Sequence, residues 1–155
     1  MGNVKTLDEI DRRILTALQR DATPALDRLG EVIGLSRNAL WRRIKALEDA
    51  GVIRARVALV DPSAVGLNLT VFIMVRTSAH DARWLDRFAK ATRAMPEILG
   101  AYRMTGELDY LIRARVRDVP DYDRLYQRLI QKVDMSDVSA SFVMEELKET
   151  TALPL

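Results

Sequence analysis

At 155 residues, with 48% apolar and 30% charged side chains, the chain has the length and balance of one or two small globular domains with real cores. It has no cysteine, which excludes disulfides, thiolate nucleophiles and cysteine-based metal sites, and no apolar run approaches the roughly 18 residues that span a bilayer. The formal net charge is only +2, yet residues 36–56 hold six basic and two acidic side chains while residues 61–155 hold 13 and 14, so the positive charge is focused where it would attract phosphates.

Thr6-Leu7-Asp8-Glu9 has the spacing of a capping box, and Leu7, Ile10, Ile14 and Leu18 follow at helical intervals, predicting a first helix that runs to about Asp21. Thr23-Pro24 restarts the chain, with Pro24 at a first helical position and Leu26, Leu29, Val32 and Ile33 as the apolar face of a second helix. Gly34-Leu35 makes a turn, and Ser36 stands where an N-cap should open a third helix. Leu40, Ile44 and Leu47 give that helix one apolar face, and Gly51 stands where it should stop. Residues 51–60 have strand character and suggest a β wing, with Arg54 and Arg56 alternating with apolar residues. Asp61-Pro62-Ser63-Ala64-Val65-Gly66 is a turn-rich break.

The second half reads as strand, helix, strand, strand, helix, strand. The predicted strands are Leu69 to Val75, Ile98 to Met104, Tyr110 to Val116, and Val138 through Met144. One predicted helix starts at Asp81 and ends before Pro96; the other opens at Asp118 and Pro120 and carries Tyr122, Leu125, Tyr126, Leu129, Ile130 and Val133 at helical spacing. Two β-α-β halves in tandem make a ferredoxin-like sandwich with helices on one face. The other sheet face needs cover, and self-association supplies it, so at least a dimer is expected.

The third predicted helix carries the chemistry. Two helices joined by a glycine turn, the second cationic at its start, form a helix-turn-helix whose second helix fits the major groove. Ser36, Arg37 and Asn38 at its N-terminal end reach base edges or phosphates; Arg pairs bidentately with guanine and Asn with adenine. Arg42, Arg43 and Lys45 grip phosphates, and Arg54 and Arg56 face the DNA backbone. Trp41 has two readings: half-buried packing on the helix bundle, or contact with a thymine methyl or sugar.

Catalytic prospects are poor, so an enzyme is not expected. His80 is the single histidine and reads as a solvated loop residue without an orienting partner. Glu145 and Glu146 are adjacent on a strand, which sends them to opposite faces. No metal-ligand spacing, P-loop or G-x-G-x-x-G is present.

Four segments in order carry a resemblance: Leu7-Asp8-x-x-Asp11-x-x-Ile14-Leu15; Gly34-Leu35-Ser36 leading to Arg43-Ile44-x-x-Leu47-Glu48-x-x-Gly51-Val52-Ile53; Thr105-Gly106-Glu107-x-Asp109-Tyr110-Leu111; and Val143-Met144-Glu145-Glu146-x-Lys148. Together they resemble the Lrp/AsnC family of transcription regulators over nearly the whole chain. Trp41-Arg42-Arg43, Met95-Pro96-Glu97 and Thr150-Thr151-x-Leu153-Pro154 look like a cysteine-responsive branch of that family.

The resemblance implies an α+β protein. Residues 1–60 would form a winged helix-turn-helix DNA-binding domain and 61–68 a linker. Residues 69–155 would form an effector-binding and oligomerisation domain of the RAM/ACT type. It further implies a regulator that binds double-stranded DNA, forms dimers or octamers, and answers to an amino acid, with cysteine a candidate; the cysteine-free composition makes the cytoplasm the default location, and no cofactor or metal is expected. By the same resemblance the effector lies between subunits near the glycine-acid turn, at Tyr102, Met104, Thr105, Gly106, Glu107 and Asp109, with Ser139, Ala140 and Ser141. Amides around Gly106 would hold a carboxylate, Asp109 an ammonium group, and Met104 with Ala140 a small apolar side chain. Siroheme decarboxylases share a related architecture but lean on histidines, of which this chain has one. A nucleoid-like compactor without an effector would use the same helix.

Overall fold

The computed structural model describes residues 6–78 and 81–155. The chain divides into two compact units: Met1–Leu59 with Lys148–Leu155, and Val60–Leu147.

The first unit holds three helices, α1 (Glu9–Arg20), α2 (Leu26–Ile33) and α3 (Arg37–Asp49). The N-cap of α1 is Asp8 and not Thr6: its carboxylate accepts from the Asp11 amide at 2.7 Å, so the cap sits two residues later than the capping-box pattern suggests. Pro24 likewise lies outside α2, whose N-cap is Ala25. Ile14, Leu15, Leu29, Ile33, Leu40, Ile44 and Leu47 form the core. Val32, which the helical spacing puts on the apolar face, is 68% exposed. The buried face of α2 rotates through Leu29, Gly30 and Ile33, because the tight approach of the turn at Leu35 demands Gly30 there.

Gly34 ends α2 in the left-handed region at φ 81°, and its amide and that of Leu35 both donate to the Gly30 carbonyl, at 2.8 and 2.9 Å. Ser36 caps α3 by accepting from the Ala39 amide. Gly51, at φ 69°, closes α3, and the amides of Val52 and Ile53 donate to the Leu47 carbonyl.

Residues 54–60 form no strand, contrary to the wing expected over 51–60. A strand needs a ladder partner, and this extended segment has none among the described residues; its Val57, Leu59 and Val60 side chains stay exposed.

The tail Lys148–Leu155 belongs to this unit, although its place in the sequence groups it with the sandwich. Gln19 clamps its backbone: the side-chain amide donates to the Leu153 carbonyl at 3.2 Å, and the side-chain oxygen accepts from the Leu153 amide at 2.7 Å. Thr151, Leu153 and Leu155 border an apolar groove of about 520 Å³ with Leu7, Leu15 and Leu18. Replacing Gln19 with Ala removes both bonds, about 1 kcal/mol. The Leu153 amide is expected to exchange with solvent roughly fivefold faster, read by hydrogen exchange; unchanged protection would mean that the groove alone holds the tail.

The second unit opens with a single 3-10 turn at Ser63–Val65 and continues β1 (Leu69–Arg76), α4 (Ala82–Arg93), β2 (Ile98–Arg103), β3 (Tyr110–Val116), α5 (Val119–Ile130) and β4 (Asp137–Phe142). The sheet order is β2-β3-β1-β4 with every pair antiparallel, the ferredoxin-like arrangement. Asp81 and Asp118 cap the two helices, accepting from the amides of Trp84 and Asp121. Val71, Ile73, Val75, Ile112, Ala114 and Val116 meet Trp84, Phe88, Leu125 and Leu129 on the helix side of the sheet. Phe72, Met74, Leu111 and Arg113 alternate onto the other face and are only half-buried.

β4 ends at Phe142, short of the predicted Met144, which is fully exposed. Beyond it Glu146 is not a bare solvated carboxylate. It accepts from the Thr70 hydroxyl at 2.9 Å and pairs with Arg115, and the two hold it below the usual range, Thr70 contributing most. His80 lies outside the described residues.

Candidate nucleic-acid interface and ligand turn

α3 is two-sided because its apolar residues repeat at 40, 44 and 47. Leu40, Ile44 and Leu47 are buried against α1 and α2. The opposite side exposes Asn38, Trp41, Arg42 and Lys45 in one stripe, flanked by Arg37. Trp41 is 53% exposed, so about half of its surface is open on this stripe.

The cations of this region are not equivalent. Arg42 and Arg54 are exposed and carry no ion pair among the described residues. Arg37 pairs with Asp27 at 3.0 Å, Lys45 with Asp49 at 2.7 Å, and Arg56 with Glu48 at 2.8 Å. These pairs are exposed, so each is weak and a phosphate can compete for the cation. Asp49 raises the Lys45 pKa and keeps the ammonium charged.

Arg43 is different and corrects its placement on the phosphate-gripping face. Its guanidinium lies 2.6 Å from Asp8 and 2.9 Å from Asp11, a carboxylate buried in the bundle. The Asp8 hydrogen bond, then that of Asp11, pushes the Arg43 pKa up. The Asp11 amide and then Arg43 push the Asp8 carboxyl down. Arg43 therefore ties α3 to the start of α1. Ser36 uses its hydroxyl as the helix cap, and Arg54 and Arg56 sit on irregular backbone and not on a wing strand.

At one end of the second unit's sheet, the β2–β3 turn carries Thr105, Gly106 and Glu107, with Gly106 at φ 100°. The Met104 amide donates to the Asp109 carbonyl at 2.9 Å and closes the turn. Asp109 is already engaged in holding the sheet end, where its carboxylate accepts from the Thr77 amide at 2.8 Å. Arg76 is a residue that sequence reasoning misses, because it stands as the last residue of an apolar strand. Its Nε donates to the Glu107 carbonyl at 3.1 Å, and its guanidinium lies 3.9 Å from the Glu107 carboxylate and 3.7 Å from that of Asp137. A cation thus stands beside the glycine turn, where a ligand carboxylate would find both charge and amides.

The register separates the other candidates. Tyr102, Leu111, Met74 and Ser139 form one row across the open face, and Phe72 pairs with Ser141 there. Ala140 pairs with Ile73 and packs into the core on the helix side. Ala140 therefore cannot line a pocket with Ser139 or Ser141, because successive residues of a strand face opposite ways.

Comparison with known proteins fits this geometry. Residues 7–54 match the family model described as winged helix-turn-helix DNA-binding, and residues 70–153 match the one described as Lrp/AsnC ligand binding domain. The chain is 47% identical over 152 residues to the glutamate uptake regulatory protein of Zymomonas mobilis, covering 98% of this chain and 93% of that protein. It is 46% identical over 150 residues to the DNA-binding transcriptional activator DecR of Escherichia coli, covering 96% and 99%. Among solved structures it resembles a transcriptional regulator of Neisseria meningitidis in complex with L-methionine, at 37% identity and a TM-score of 0.91, covering 96% and 97% of the two chains.

Proposed function

The chain belongs to the Lrp/AsnC family of DNA-binding transcription regulators, and we propose that it binds operator DNA through the exposed stripe of α3 and is modulated by a small amino acid held at the glycine turn of the second unit. The observation that carries the DNA reading is the stripe itself. Asn38, Trp41, Arg42 and Lys45 share one solvent face of a helix whose other face is core. Ser36 and Arg37 lie at its leading end, and Arg54 and Arg56 follow it. That is the disposition a recognition helix needs.

The ligand reading rests on Gly106, Glu107 and Arg76 converging with Asp109 at the sheet end, beside Tyr102, Met104 and Thr105 and on the same side as Ser139 and Ser141. Methionine is the ligand of the Neisseria relative. Cysteine, methionine and glutamate therefore head the panel of candidates. Phe72, Met74, Tyr102 and Leu111 on the open sheet face favour cover by a second copy, hence a homodimer or a larger homo-oligomer acting in the cytoplasm. The relatives are named as regulators, and no catalytic role is proposed for any side chain.

The test is fluorescence anisotropy on the DNA upstream of the protein's own gene, at two salt concentrations, with each amino acid added in turn. Expected are binding that weakens steeply with salt and one amino acid that shifts it. The same amino acid should raise the melting temperature, since a ligand at about 100 times its Kd adds about 2.7 kcal/mol to the native state. Salt-dependent binding that no amino acid alters would favour the compactor. Absence of binding would remove α3 from the interface.

A further inference from the structure

We infer that Trp41 is a specificity-determining residue of this interface, its indole reading the C5-methyl of a thymine one or two base pairs from an adenine read by Asn38. The inference rests on α3 being the recognition helix. Tryptophan is usually well buried, and this one keeps 53% of its surface exposed. The core takes Leu40, Ile44 and Leu47 from the other side of α3. Among the described residues Trp41 stacks on no other ring and its indole N–H has no acceptor.

A large apolar surface left in a cationic stripe is matched by an apolar partner. In the major groove the one apolar group on any base edge is the thymine methyl. Asn38 precedes Trp41 by three residues on the same face, which sets the two side chains about 5–6 Å apart at Cβ. That span covers one to two base steps of roughly 3.4 Å. Asn38 makes no side-chain hydrogen bond among the described residues, so its amide is free to meet adenine bidentately. Arg42, also without a partner among them, and Lys45, weakly paired, lie on the same stripe and supply phosphate contacts. The indole is a rigid probe with two side-chain torsions, so little entropy is lost when it seats.

The experiment selects bound duplexes from a random library with the full-length protein. It then replaces each thymine of the winning site by deoxyuridine, which deletes only the methyl. One or two positions are expected to weaken wild-type binding about fourfold, the effect of one buried methyl group. Trp41→Ala should lose a similar factor on the thymine site, become indifferent to deoxyuridine at those positions, and keep the wild-type melting temperature because the residue is exposed. Asn38→Ala should relax the preference at the neighbouring adenine. Wild-type binding that is salt-dependent but unmoved by every deoxyuridine overturns the role of Trp41 while leaving the regulator reading standing. So does Trp41→Ala that keeps the deoxyuridine sensitivity, as a tryptophan docking another protein would. No selected or salt-dependent binding at all overturns both.

Discussion

Arg43→Ala is expected to lower the melting temperature of the N-terminal unit, while Arg42→Ala one residue away is expected to leave it unchanged and to weaken DNA binding instead. The two arginines are neighbours in sequence and opposites in environment. The Arg43 guanidinium bridges Asp8 and Asp11, and Asp11 is 3% exposed. Deleting the cation leaves a buried carboxylate with less compensation, which in a fully buried pair costs about 3–5 kcal/mol. Arg43 is itself one-third exposed, so the expected loss is nearer ~2 kcal/mol. Asp8 adds a second consequence, since one oxygen caps α1 through the Asp11 amide and the other accepts from Arg43.

The pH dependence has a definite sign. The folded-state pKa of Asp8 is depressed below 3.8, by the Asp11 amide first and Arg43 second. Its contribution is therefore present above pH 3.8 and is lost as pH falls through the lowered folded value. Wild-type unfolding followed by circular dichroism should show that acid loss, and Arg43→Ala should show less of it. Arg42→Ala should stay within about 0.5 kcal/mol of wild type. Its DNA affinity should drop on every sequence, with the slope of log K against log salt reduced by about 0.9 for the lost phosphate contact. A normal melting temperature in Arg43→Ala together with lost DNA binding would return Arg43 to the interface.

Much of the fold is legible in the sequence because it is written in local periods. Leu40, Ile44 and Leu47 announce the buried side of α3, and Tyr110, Ile112, Ala114 and Val116 announce that of β3; both lie where the period puts them. Gly34, Gly51 and Gly106, which read as turns or stops, all take positive φ.

What escapes the sequence depends on contacts between distant residues. The partners of Arg43 lie 32 and 35 positions away, so composition shows a cation on a helix and not its carboxylates. Arg76 closes on Glu107 from 31 positions away. The segment expected as the wing forms no strand among the described residues, because strand propensity in Val57 and Leu59 makes no strand without a ladder partner. The tail at Leu153 reaches Gln19 across 134 positions, and no local pattern foretells that. One misplacement needs no structure to correct. Ser139, Ala140 and Ser141 are consecutive on a strand, and alternation alone excludes all three from one pocket.

Gly30→Ala should destabilise the helix-turn-helix even though alanine is the better helix former. Gly30 lies inside α2, where exchange for alanine would ordinarily add about 1 kcal/mol of stability. Here a Cβ would stand 2.6 Å from the Leu35 carbonyl oxygen, a backbone atom on a turn held by two hydrogen bonds to the Gly30 carbonyl itself. Relief requires the turn to move, and with it the start of α3. Overpacking of this kind costs about 1–3 kcal/mol, so the clash outweighs the propensity gain.

Because the displaced element carries Asn38 and Trp41, DNA affinity should fall along with the melting temperature. Gly34 gives the contrasting case four residues later. A Cβ there meets open space, but φ is 81°, so Gly34→Ala costs about 1–2 kcal/mol in backbone strain alone. Asparagine tolerates that dihedral and should recover part of the loss at Gly34, whereas at Gly30 it should be worse than alanine, since there space and not φ is limiting. Thermal unfolding of the four variants separates the two mechanisms. A Gly30→Ala protein that melts at or above wild type would mean that the Leu35 carbonyl yields freely, and that the seating of α3 on α2 is looser than this turn implies.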